Sequence, residues 1–341
     1  MNTNPQSVLR EKPSSLNDSA GDVICIVGMH RSGTSMIAKL LHQCGLYLGP
    51  EEQLLGANSG NADGHFEHKG FLKINDALLR HFGGSWEFPP QCELNWHEAS
   101  ALEPMRAEAR ALALELSARS PWGWKEPRTT VLLPFWKSVL PSLRFVICVR
   151  SPLEVAKSLA KRNKIPLEQG MILWHRYMRA ALEDTAGCSR MITHYEDFFV
   201  DPEAEADRLV RFCRLQKPEN ISFTESGIRP ELRHQRSEVA EILSLKSIPA
   251  EHKFLYLGLR GLSREDAVAT VSGESAQPVG ELLRLLDEFH NRDRLAQLQA
   301  ELAEARNEVS KLRAEMLNDL KANHRWAYRM YRNFIKPFRV R

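Results

Sequence analysis

Eight residues near the amino end, GMHRSGTS at 28–35, carry the strongest chemical signal in this 341-residue chain. Gly28 and Gly33 bracket the segment, Ser35 ends it with a hydroxyl, and Arg31 puts a cation inside it. The spacing nearly fits GxxxxGK[ST], in which backbone N–H groups and a helix amino terminus cradle a phosphate. Thr34 stands where that pattern has lysine. A loop of the phosphoryl-transfer kind uses the lysine on the terminal phosphates and the hydroxyl on magnesium. Here the lysine is gone and no acidic metal ligand is obvious on an adjacent strand. The residue types point to an anionic nucleotide held by backbone, hydroxyl and arginine, without a metal.

A second group lies about 115 residues on. Arg150 ends the apolar run LRFVICV at 143–149, and Ser158 and Arg162 sit four apart on one face of the helix that follows. The carboxyl end of a strand beside a helix amino terminus is where open α/β sheets bind ligands. Arg150, Ser158 and Arg162 are therefore expected to converge on a second phosphate. His65 and His68 are three apart and His81 follows, but no Cys or carboxylate completes a zinc set, so no metal site is expected.

Strands and helices must hold these groups. DVICIV at 22–27 reads as a buried strand, and Met36, Ile37, Leu40, Leu41 and Cys44 recur at helical spacing before Gly45. After the strand at 143–149, Ser151 reads as an N-cap, Pro152 as the first helical residue and Glu154 as the capping-box partner, with the helix running to about Arg162. RMITHY at 190–195 precedes another helix start at Asp201 and Pro202. Alternating strands and helices predict a three-layer α/β domain with a central, mainly parallel sheet over 21–275. Residues 1–20 read as a disordered leader. Over 279–320, Leu295, Leu298, Leu302, Ala305, Val309, Leu312 and Met316 are spaced 3, 4, 3, 4, 3, 4, which predicts a long amphipathic helix. Packing on its own domain and homodimer pairing through 295–316 both remain open.

The composition, 43% hydrophobic and 26% charged, excludes wholesale disorder. Six scattered cysteines without a CxxC argue against a disulfide scaffold or zinc ribbon and favour a reducing, cytoplasmic setting. No secretory signal or membrane-spanning run is present in the sequence. The net charge of +3 is lopsided: seven basic and no acidic residues lie from Leu320 onward, leaving 39 basic against 43 acidic, a net −4, elsewhere. In the 321–341 tail, Arg325, Arg329, Arg332 and Lys336 form one helical stripe, with Trp326, Met330, Phe334, Tyr331 and Ile335 on the opposite side. That pattern suits an anionic membrane surface, hence a peripheral location on the inner face of the membrane, or docking on a protein. The stripe is too short and isolated for nucleic acid.

IVGMHRSGTS and FVICVRSPLEVAKSLAKR, in that order and spacing, resemble the sulfotransferases that use 3′-phosphoadenosine 5′-phosphosulfate (PAPS). The first resembles their 5′-phosphosulfate loop, the second their 3′-phosphate motif. WKEPRT at 124–129 and THYEDF at 193–198 are similar to segments of tyrosylprotein sulfotransferases and the wider family, and GHFEHKGFLKINDALL at 64–79 to bacterial carbohydrate enzymes. The likeness spans roughly 22–240. It implies sulfuryl transfer from PAPS to an acceptor hydroxyl on a carbohydrate or cell-surface glycan. Arg31 would stabilise charge on the leaving phosphate, with Ser32, Gly33, Thr34 and Ser35 holding the 5′ end. Arg150, Ser158 and Arg162 would hold the 3′-phosphate, and Arg229, Arg233, His234 and Arg236 close over the nucleotide. Glu67 is the preferred base, with Glu52, His65 and His68 as rivals, and Lys125 orients the sulfuryl end. Two other readings stay open: a P-loop nucleotide kinase, against which Thr34 argues, and a non-catalytic, membrane-tethered nucleotide-binding scaffold. Trp86, Trp96, Trp122 and Trp174 are expected either to stack on sugars or to fill core.

Overall fold

Val23–Gly28 (β1) is apolar and mostly β-branched, and every one of its residues is buried, as a strand covered on both faces requires. A computed structural model describes residues 23–56, 64–224, 228, 239–245, 248–262, 267–269 and 277–323. The leader at 1–20, the 229–236 basic cluster and the aromatic part of the tail lie outside the described residues. The other strands are Trp122–Lys125 (β2), Arg144–Val149 (β3), Ser189–His194 (β4) and Val268–Ala269 (β5). They form one sheet in the order β2-β1-β3-β4-β5. The first four are parallel, with Ile24 beside Gly123 on one side and Arg144 on the other, and the short β5 pairs antiparallel at the edge.

The helices among the described residues are Thr34–Gln43 (α1), Lys69–His81 (α2), Glu103–Leu116 (α3), Leu133–Val139 (α4), Pro152–Asn163 (α5), Leu167–Asp184 (α6), Pro202–Cys213 (α7), Val239–Ser244 (α8), Ala250–Gly261 (α9) and Gln277–Asn323 (α10). Ile24, Ile26, Val146 and Cys148 point to a core shared with α1 and α7. The alternate residues, Cys25, Val27, Phe145 and Ile147, face the other way and are equally buried. On β2, Trp124 stacks on Phe71 of α2 at 4.6 Å, and Trp136 of α4 packs 4.9 Å from the same ring. The Trp174 indole of α6 donates to the Arg150 carbonyl at 3.0 Å, so the helix layer reaches the strand end that bears the site. Trp122 and Trp174 are thus core residues.

The chain leaving β1 crosses to β2 on one side, and the chain leaving its neighbour β3 crosses to β4 on the other, so the two connections part at their carboxyl ends. This opens a crevice there, the place where such sheets bind ligands. Val279 and Leu282 at the start of α10 are buried, with Leu282 against Gly258 of α9. The chain divides into two units at Arg284. In the second, the described side chains from Asn291 to Asp319 are all exposed.

Candidate functional site

Three loops at the carboxyl edge of the sheet bring charge to one cavity of about 170 Å³. The loop after β1 is fixed first. The Gly28 N–H donates to Thr130 Oγ1 at 3.0 Å, and that hydroxyl donates back to the Gly28 carbonyl at 3.1 Å. Arg31 adopts φ 69°, and the Ser32 N–H turns back to the Met29 carbonyl at 3.1 Å. Gly33 caps α1 at φ 90°, where a Cβ would lie 2.4 Å from the Tyr195 ring. As a glycine it offers the first amides of α1 no side-chain acceptor, which leaves them for an outside anion. The Ser32 hydroxyl is buried with no hydrogen-bond partner among the described residues. An anionic phosphate group fits this donor set.

The loop after β3 is tied to the first. Arg150 donates to the Arg31 carbonyl at 3.1 Å, and Arg31 Nε donates to Ser158 Oγ at 2.9 Å. Arg150 is further held by Glu154 at 2.9 Å and lies 4.2 Å above the Tyr195 ring. Burial, then the nearby Arg162 and Arg150 charges, pulls Arg31 down from 12.5 to about 10, so it stays cationic at neutral pH. Ser151 caps α5 as expected, accepting from the Glu154 N–H at 3.4 Å. The capping box is completed differently, however. Glu154 turns to Arg150, and the Ser151 N–H donates to Glu196 at 2.9 Å.

The third contribution comes from β2. Lys125, at its end, is 1% exposed and meets Glu67 at 2.6 Å and Ser35 Oγ at 3.2 Å. Glu67 arrives on a segment that pairs with Leu54–Leu55: the Leu55 N–H donates to the Glu67 carbonyl and the His65 N–H to the Leu55 carbonyl. Phe66 at φ 53° turns the chain between them. Behind Lys125, the fully buried Glu126 accepts from Asn75 at 2.6 Å and Arg128 at 2.5 Å. Burial raises Glu126 to about 7, outweighing the Arg128 charge.

A second cavity of about 370 Å³ shares His30, Arg31, His65, Glu67 and Arg162 with the first and adds Trp86 and Leu159. The His30 ring lies 4.4 Å from that of Trp86, tilted by 44°. Burial lowers the pKa of both His30 and His65, reinforced by surrounding cations at His30 and partly opposed by Glu67 at His65, and each has a buried Nε2 with no hydrogen-bond partner among the described residues. Both imidazoles are therefore neutral at pH 7.

Of the residues read from the sequence, Arg31, Gly33, Thr34, Ser35, Glu67, Lys125, Arg150 and Arg162 line the first cavity, and Ser158 joins it through Arg31. Among the rival bases, His65 lines it too. His68 instead caps α2, its Nδ1 accepting from the Gly70 N–H at 3.1 Å, and Glu52 sits on an exposed turn; neither lines the cavity. Sequence reasoning missed His30, Lys39, Tyr195, Glu154 and Glu126. Glu154 was findable from its i,i+4 spacing to Arg150; Tyr195 and Glu126 are brought in by tertiary packing alone. Among the described residues, His175, Glu251 and His252 cluster with ligating atoms within 4.8 Å of one another, away from the histidines weighed for a metal in the sequence.

Fold and site together define an α/β protein with a glycine-bounded loop and converging cations at the carboxyl edge of a mainly parallel sheet. The chain belongs to the sulfotransferase family, whose model matches residues 23–219. No curated protein matches it. Among solved structures, it is similar to the sulfotransferase domain of the Synechococcus PCC 7002 olefin synthase, at 16% identity and TM-score 0.40, over 80% of this chain and 98% of that one. It is also similar to sulfotransferase STF9 from Mycobacterium avium, at 14% identity and TM-score 0.38, over 65% and 71%. A third is the sulfotransferase domain of the curacin biosynthetic pathway, at 13% and 0.38, over 77% and 97%. No helix among the described residues is long and apolar enough to cross a membrane.

Proposed function

We propose that the chain transfers a sulfuryl group from PAPS to an acceptor hydroxyl on a carbohydrate or cell-surface glycan. The observation that carries this is the meeting of Arg31, Lys125, Arg150 and Arg162 with one carboxylate, Glu67, in a single cavity built from three strand ends. The donor brings a sulfuryl group already activated by its phosphate leaving group. Gly33, Thr34 and Ser35 hold its 5′ end through amides and hydroxyls, and Arg150, Ser158 and Arg162 its 3′-phosphate. Arg31 remains protonated throughout, so it meets charge growing on the leaving oxygen electrostatically, without giving up a proton. Lys125, 3.2 Å from Ser35 Oγ, supplies the opposite side of that charge.

Glu67 takes the acceptor proton. Its own charge is then neutralised, its hold on Lys125 weakens, and the ammonium is released toward the sulfuryl oxygens at the moment they need it. His65, neutral and with an open Nε2, is the rival base. The acceptor enters through the second cavity, where Trp86 offers a ring face to a sugar.

Calorimetric titration with adenosine 3′,5′-bisphosphate tests the reading. Magnesium-independent binding is expected, weakened roughly 10- to 100-fold by Arg150→Ala, the range of a lost charged hydrogen bond. Preference for ADP–magnesium would support a kinase, and no binding of either nucleotide would overturn the reading. A screen of hydroxyl acceptors with labelled PAPS then identifies the acceptor.

A further inference from the structure

The 47-residue α10 bears an apolar seam without a use in the site. Leu298, Leu302, Val309, Leu312 and Met316 are between 45% and 64% exposed. With Leu295 and Ala305 they repeat every 3.5 residues, the period of a supercoiled pair and not the 3.6 of a lone helix packed on a globular surface. In heptad terms, Leu295, Leu302, Val309 and Met316 take position a, and Leu298, Ala305 and Leu312 position d. The flanks are polar: Arg294, Glu301, Glu308 and Glu315 at g, and Gln299, Arg306 and Arg313 at e. A seam confined to a and d, with charged neighbours on both sides, suits two strands; larger bundles also bury e or g.

The charges select the direction. In parallel helices, position g of one chain faces position e of the next heptad of the other. This sets Glu301 against Arg306 and Glu308 against Arg313, twice each by symmetry. In antiparallel helices g faces g and e faces e, so glutamates would meet glutamates and arginines arginines. We propose that Leu295–Met316 pairs with the same segment of a second copy of this chain as a parallel, in-register, two-stranded coiled coil about 32 Å long. This inference is independent of the sulfuryl-transfer reading.

Light scattering on the full chain is expected to give roughly 78 kDa, twice the 38.9 kDa of one chain, a state set by α10. Glu301→Arg with Glu308→Arg sets like charges together and should halve the mass. Adding Arg306→Glu and Arg313→Glu should restore it. Leu298→Cys and Leu312→Cys are expected each to crosslink to itself under mild oxidation, above the level of the unsubstituted chain. An antiparallel pair would crosslink only the mixture of the two variants, because like positions then lie about 20 Å apart. A 38.9 kDa wild type, a three- or four-chain mass, failure of the fourfold charge variant to recover, or crosslinking confined to the mixture would each overturn the proposal.

Discussion

Replacing Lys125 with methionine keeps the apolar stem and removes the charge. The side chains of Lys125 and Glu67 are 1% and 9% exposed and meet at 2.6 Å. At an effective dielectric near 20, two unit charges at that distance attract by roughly 6 kcal/mol, largely offset by the cost of taking both out of water. Removing one partner strands the other, and a loss of about 3–5 kcal/mol is expected for Lys125→Met alone. In a domain of this size that lowers the melting temperature by roughly 6–20 °C. Glu67→Gln alone leaves the ammonium beside Arg31 and Arg162 and should cost a similar amount. The double variant carries no stranded charge, so its loss should fall short of the sum by about 1–3 kcal/mol, the coupling of residues in contact. Urea denaturation of the four proteins at pH 7 measures the cycle. Additivity within about 0.5 kcal/mol would refute the idea that the pair acts as one buried unit.

Glu126 gives a pH test. Its folded pKa of about 7 lies above the ordinary 4.5, so the folded state holds the extra proton between those values and loses stability as pH rises through them. Glu126→Gln removes that dependence: its stability relative to the parent should improve by about 1–3 kcal/mol from pH 5 to pH 8 in paired melts, and a flat difference would assign the carboxyl an ordinary pKa. Ser32→Ala deletes a buried hydroxyl with no partner among the described residues, so the free protein should change by less than about 1 kcal/mol in urea unfolding. Affinity for adenosine 3′,5′-bisphosphate should nonetheless fall roughly 10-fold in calorimetry, and unchanged affinity would leave Ser32 outside the anion cradle.

The legible parts of this molecule are those where a local pattern has one physical meaning. β1 and β3 could be read because both faces are buried and the runs are continuously apolar. The start of α5 could be read because Ser151 and Pro152 have few other uses together. β2 was not recognised as a strand. Its four residues, WGWK, are too short for periodicity to register, and Trp124 packs on Phe71, far away in sequence, and on Trp136. The pairing of Lys125 with Glu67 was invisible for the same reason, although both residues were singled out. Glu196 shows the limit of capping rules: a tertiary carboxylate displaced the local one that the spacing predicted. The rival bases were narrowed by backbone placement. His68 differs from His65 by only three positions, yet one faces a helix end and the other the cavity.

Arg31 and Arg150, joined by one hydrogen bond, are 119 residues apart in the chain. On a ribosome adding about 5–20 residues per second, the first loop therefore emerges roughly 6–24 s before its clamp exists. Through that interval the left-handed turn at Arg31 lacks the side chain that later fixes its carbonyl, and β1 lacks β3. The cavity is thus completed only once β3, the start of α5 and, further on, Tyr195 have been made. A ligand that binds there engages two loops joined across the sheet, and lacks half of its grip on a nascent chain that stops short of α5.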